Sequence, residues 1–107
     1  MSDKFDNVSV VKKGNVFFDG KCVSHSVLFA DGTRKTVGVI MPGSQLVFNV
    51  GTPELMEITD GTCRVKIAGE PEFKTCTAGS SFKVAANSSF EIHAQDTVNY
   101  VCSFGSD

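Results

Sequence analysis

Hydrophobic residues recur at every second position along this chain, and no stretch of three helical turns carries them at i, i+3 and i+4. Successive side chains of a strand point to opposite faces, so this period predicts strands with one face turned to a core. The predicted strands cover residues 8–12, 16–18, 23–29, 33–41, 46–50, 55–59, 63–68, 73–77, 81–85, 90–94 and 97–104. The chain is therefore expected to be nearly all β.

The breaks between these segments carry turn chemistry: Asp19-Gly20, Asp31-Gly32, Pro42-Gly43, Asp60-Gly61 and Ala78-Gly79. Glycine, and less readily aspartate, tolerates the positive φ of tight hairpins. Short strands joined by such turns predict a sandwich or barrel rather than a parallel sheet crossed by helices. Residues 42–61 and 79–92 have the turn spacing of a double-stranded β-helix. Residues before Asp19 read only as an edge strand.

Within the strands, Met56 and Ile58 share one face, and Glu57 and Thr59 share the other with Leu55. Phe90 and Ile92 point one way and Glu91 and His93 the other, which sends His93 to the polar outside. His25 alternates with Val23, Val27 and Phe29, the setting of a structural histidine whose polar atoms are satisfied locally.

A length of 107 residues permits one core, not two. The chain is 41% hydrophobic and 21% charged and has no apolar run long enough for a membrane span. A net charge of −2 and a pI of about 5.6 leave no positive field to attract polymeric nucleic acid. The start, MSDKFDNVSVVKKG, lacks the apolar core of a secretory signal, so the cytoplasm is the expected compartment. Cys22, Cys63, Cys76 and Cys102 form no CxxC pair and are expected to be free thiols. Cys63 and Cys102 fall in apolar alternation, where a thiol behaves as a small hydrophobe.

Pro42-Gly43, Phe48, Glu54, Glu57 and Asp60-Gly61 resemble the first sequence motif of the cupins, and Gly79, Phe82, Val84 and Phe90 resemble the second. Within the cupins, TRKTVGVIMPG, ELMEITDG, AGSSFKVAANSSFEI and the terminal YVCSF closely resemble the small pyrimidine/purine nucleoside phosphorylases. The resemblance runs from about Gly20 to Phe104, and its most restrictive part is the joint run through Gly38, Glu57, Phe82, Phe90 and Tyr100. It implies a single all-β cupin domain, a double-stranded β-helix or jelly-roll barrel, and residues 1–107 are read as that one domain, with the first five or six and last three expected to fray as chain ends do. It further implies a homodimer that cleaves purine and pyrimidine nucleosides with inorganic phosphate, yielding free base and ribose 1-phosphate.

Phosphorolysis passes through a cation-like sugar, so its site must hold phosphate on one face, recognise sugar hydroxyls and accommodate the departing base. A catalytic zinc would need three ligands from His, Cys and carboxylates. Phe48 and Val50 stand where metal-binding cupins carry their histidine pair, and Phe90 stands at or near the third. No metal or other cofactor is expected; phosphate enters as a co-substrate.

Arg34 is the first candidate for phosphate binding and catalysis, because its planar fork can hold two phosphate oxygens. Lys35 is the alternative cation, and Ser24, Ser26, Thr33 and Thr36 are neutral donors. The competing reading makes Arg34 and Lys35 a solvated pair behind the Asp31-Gly32 turn. Phe48, Phe82, Phe90 and Tyr100 offer rings for the base, although each phenylalanine also fits a core. Glu54 and Glu57 are the carboxylates placed to bind nucleoside hydroxyls, with Glu57 the second catalytic candidate. Glu57 pairs with Arg34 if its face turns inward, and lies on the outer surface if Met56 and Ile58 take the interior.

Two other function classes share the barrel. A non-enzymatic small-molecule-binding cupin would show no phosphate dependence, and a metal-dependent cupin enzyme would use His25 or His93 with a glutamate.

Overall fold

A computed structural model describes residues 3–105. Eleven strands follow in order: β1 (Ser9–Val10), β2 (Asn15–Phe17), β3 (Cys22–Leu28), β4 (Arg34–Ile40), β5 (Gln45–Val50), β6 (Glu54–Asp60), β7 (Cys63–Ile67), β8 (Lys74–Cys76), β9 (Ser81–Val84), β10 (Ser88–Ala94) and β11 (Val98–Phe104). Each falls within or beside a segment marked by alternation. One short 3-10 turn, Phe18–Gly20, joins β2 to β3, so Phe18 lies beyond the strand expected to contain it. Phe73 likewise precedes β8. Among the described residues no helix is long and apolar enough to cross a membrane.

A seven-stranded antiparallel sheet runs β1-β3-β4-β11-β6-β9, with β2 also pairing with β3. A four-stranded sheet runs β5-β10-β7-β8. The buried residues alternate along the strands as the period requires, and Ile40, Ile58, Val65, Ile92 and Val98 lose nearly all contact with solvent. They form one core between the sheets. The jelly-roll arrangement is that of a cupin.

Gly61 shows how a turn fixes the barrel. Its φ is +90°, and a Cβ there would collide with the Thr97 carbonyl and approach Val98 Cα to 3.0 Å. Only glycine meets both demands.

All four cysteines are free and buried. Cys63 faces Cys76 across β7 and β8. Burial, with the neighbouring Cys76 and Asp96, pushes the Cys63 thiol up to about 11. The expected fraying falls partly on residues 1, 2, 106 and 107, which lie outside the described residues. Phe5, in the same expected segment, packs edge-on against Phe29 with ring centres 5.1 Å apart.

Candidate active site

Strand register sorts the inner face of the large sheet into rows. Ser26, Thr36, Cys102 and Met56 pair in succession across β3, β4, β11 and β6. The next row joins Ser24, Gly38, Tyr100 and Ile58. Phe104 pairs with Glu54, while Arg34 opens β4 nearby and sets its guanidinium 4.3 Å from the centre of the Phe104 ring. On the facing sheet, β5 and β10 pair Phe48 directly with Phe90, and the rings stack with centres 5.3 Å apart at 20°.

These walls enclose a cavity of about 330 Å³, within the range of small-molecule sites. The large sheet forms its polar side with Arg34, Glu54, Thr36 and Ser24, beside Tyr100 and Phe104; Phe48 and Phe90 form the facing aromatic side. A larger groove of about 590 Å³ crosses the outer face of the large sheet over Val23, Val37, Val39 and Val101. That groove has a valine-rich floor, whereas the barrel cavity brings a guanidinium, a carboxylate, hydroxyls and aromatic rings into one space.

The polar side is held by its own hydrogen bonds. Tyr100 is 7% exposed, and its hydroxyl lies 3.4 Å from Cys22 Sγ with a further bond to Ser24. Burial drives this phenol well above its ordinary range, the Cys22 contact adds to the effect, and Ser24 offsets part of it. The ring packs so closely over β4 that a Cβ on Gly38 would lie 2.6 Å from its Cζ and Oη. Glycine at position 38 therefore makes room for the tyrosine.

Burial raises the Glu54 carboxyl above its ordinary value, while a hydrogen bond from Cys102 and the charge of Arg34 hold it back. Cys102 moves far upward, through burial and then through the neighbouring Glu54, with Arg34 and Thr36 opposing. It is a protonated donor, with no thiolate to act as a nucleophile at neutral pH.

Seven of the predicted site residues thus meet in one cavity: Arg34, Ser24, Thr36, Glu54, Phe48, Phe90 and Tyr100. Three do not. Glu57 is exposed on the outer face, because Met56 and Ile58 take the interior of β6. A lone carboxylate costs several kcal/mol to bury, whereas each apolar side chain contributes roughly 1.5–3 kcal/mol when buried. Phe82 is core: it pairs with the strand bearing Met56 and meets Phe90 edge-on at 5.3 Å, behind the cavity wall. Ser26 is half-buried on β3 and does not line the cavity.

The two histidines lie elsewhere. His25 Nδ1 donates to the Val11 carbonyl at 3.1 Å, and His93 Nε2 donates to Glu91 Oε2 at 2.6 Å beside the Phe73 ring. Among the described residues no three His, Cys, Asp or Glu side chains come together as a metal site.

Sequence reasoning missed Asn15, Phe17, Asn49, Met56, Cys102 and Phe104, which also line the cavity. A signal for two of them was present. The tight turn at Asp19-Gly20 makes residues 15–17 and 22–24 a hairpin, and its register sets Asn15 opposite Ser24 and Phe17 opposite Cys22. The asparagine amide donates to Ser24 Oγ at 3.3 Å.

The profile of the pyrimidine/purine nucleoside phosphorylases matches residues 12–104. The chain belongs to this family. A pyrimidine/purine nucleoside phosphorylase of Cupriavidus metallidurans is 63% identical over 102 residues, covering 95% of this chain and 98% of the relative. One from Herminiimonas arsenicoxydans is 59% identical over 104 residues, covering 97% and 99%. A crystal structure of a protein of unknown function from Acinetobacter sp. ADP1 is 51% identical, with a TM-score of 0.93 over 96% of this chain and 99% of that one. An RmlC-like cupin from Shewanella frigidimarina matches 94% of this chain and 86% of its own at a TM-score of 0.70 and 16% identity, a likeness of fold.

Proposed function

We propose that this nucleoside phosphorylase cleaves both purine and pyrimidine nucleosides with inorganic phosphate, without a metal, in the cavity between Arg34 and the Phe48–Phe90 stack. The observation that carries this reading is the placement of Arg34 and Glu54 on one side of the cavity and stacked aromatic rings on the other. A phosphate oxygen attacks the anomeric carbon as the bond to the base nitrogen breaks. The electron pair of that bond leaves with the base, which then takes up a proton.

Arg34 holds two phosphate oxygens in its fork, and Ser24 and Thr36 supply neutral donors. Glu54 accepts from the ribose hydroxyls, and its negative charge favours the cation-like sugar of the transition state. The aromatic wall takes the base without selecting its ring size. The homodimer implied by the resemblance belongs to the same proposal, and sedimentation equilibrium checks it.

Purified protein incubated with uridine or adenosine is expected to release base only when phosphate is added, and to do so undiminished in EDTA. Loss of turnover on chelation, restored by one particular metal, would overturn the metal-free reading. Base release without phosphate would make the protein a hydrolase.

A further inference from the structure

We infer that the hairpin segment Asn15 to Phe18 is the base-recognition element of the cavity, with Phe17 covering the base and the Asn15 amide reading its edge. This inference rests on the reading of the cavity as a nucleoside site. It assigns roles to a segment whose sequence suggested only an edge strand.

Strand register supplies the placement. Asn15 and Phe17 stand opposite Ser24 and Cys22, and both line the cavity, whereas Val16 between them is 64% exposed. Phe17 and Phe18 each remain 42% exposed, an unusual setting for two adjacent phenylalanines. Both present T-shaped contacts to Phe48, with ring centres 6.2 and 5.2 Å away. The exposed rings therefore gather around the aromatic residue that faces the proposed base slot. A base entering there would cover apolar surface that the free protein leaves in water.

The backbone supports the same reading. Phe18 and Asp19 both have left-handed φ values, 53° and 55°, and Gly20 follows at 93°. A bulky residue rarely adopts that conformation. No side-chain hydrogen bond caps this turn, but Phe18 meets Phe48. The tip of the hairpin is thus anchored to the cavity wall.

Asn15 supplies the polar complement. One N–H of its amide is given to Ser24 Oγ at 3.3 Å, and the second N–H and the carbonyl oxygen are left to face an amino group beside a ring nitrogen or an imide N–H beside a carbonyl. Those are the edges of adenine and uracil. The hairpin thus accounts for acceptance of both base classes: the ring covers either, and the amide can satisfy either.

The test compares wild type with Phe17→Ala, Phe17→Leu, Phe17→Tyr, Asn15→Ala and the outward-facing control Val16→Ala. It measures nucleoside Kd without phosphate, KM for nucleoside and for phosphate, and melting temperature. Phe17→Ala and Phe17→Leu should raise Kd and nucleoside KM about tenfold for uridine and adenosine alike, the effect of losing one stacking face. Phosphate KM should not change, and Phe17→Tyr should restore binding. Asn15→Ala should weaken both nucleosides by about fivefold, the scale of one hydrogen bond; Val16→Ala should weaken neither. The leucine variant retains apolar bulk, so its binding remains readable if the alanine variant folds poorly.

Unchanged nucleoside binding in Phe17→Leu, or equal loss of nucleoside and phosphate affinity, overturns the inference. A wild type that binds nucleosides but releases no base refutes phosphorolysis alone, and the Kd series still decides the role of the hairpin. A wild type that neither binds nor turns over these nucleosides overturns both.

Discussion

Glu54 works against the cost of its own charge. Burial raises its pKa on folding, and the Cys102 hydrogen bond and Arg34 recover only part of the shift. A carboxyl raised in this way favours folding when protonated, below its unfolded value, and loses that contribution as pH climbs through the folded one. Glu54→Gln is therefore expected to melt at the same temperature as wild type in acid and progressively higher towards neutral pH, in phosphate-free buffer. A constant gap from pH 4 to 8 would mean that the carboxylate carries no burial cost. Arg34 is tested by charge and shape separately: lysine keeps the charge but loses the fork, and alanine loses both. Activity should fall in the order wild type, Arg34→Lys, Arg34→Ala, mainly through phosphate KM. The acid limb of the pH–rate profile should move upward in the alanine variant, because Glu54 then loses a stabilising cation. The sequence named both residues as candidates, Arg34 for its planar fork behind the Asp31-Gly32 turn and Glu54 as a carboxylate placed to bind nucleoside hydroxyls, and both line the cavity. The sequence could not place Glu57, since alternation tells which residues share a face but not which face is inside. Desolvation settles that choice in favour of Met56 and Ile58.

At the scale of elements, every long strand was readable from its period and its turns. The three-residue β2 and the two-residue β1 offered too few alternations to show what they faced. Aromatic residues posed the opposite difficulty: the pattern marked Phe48, Phe82 and Phe90 as inward but could not rank their depth. The register of β5 on β10 and of β6 on β9 supplies that order. Phe82 and Phe90 are 4% and 2% exposed, while Phe48 is only partly buried against them. Truncating Phe82 or Phe90 to alanine should cost about 3–5 kcal/mol of stability, as expected for a buried ring. Phe48→Ala should lower melting temperature less and weaken uridine and adenosine binding by about 1–3 kcal/mol, the range for base stacking. Calorimetric titration beside thermal melts separates the two effects. A Phe48→Ala protein that melts as early as Phe90→Ala and binds normally once folded would move Phe48 out of the site.

Across the whole molecule, the last strand in sequence lies in the middle of the large sheet. β11 is hydrogen-bonded to β4 on one side and β6 on the other, and contributes Tyr100, Cys102 and Phe104 to the cavity. Removing residues 98–107 should abolish cooperative unfolding altogether, as read by near-UV circular dichroism and calorimetry. A truncated chain that still melts sharply would show that the two halves of the sheet hold without it. This position also governs how the protein can be born. Strands β4 and β6 have no partner along their facing edges until residues 98–104 have been synthesised, and loop closure over such long separations is slow. The cavity cannot assemble before β11 is available, so its folding waits on the synthesis of that strand. A product ended before β11 would present two open strand edges to proteases and chaperones rather than a partly competent enzyme.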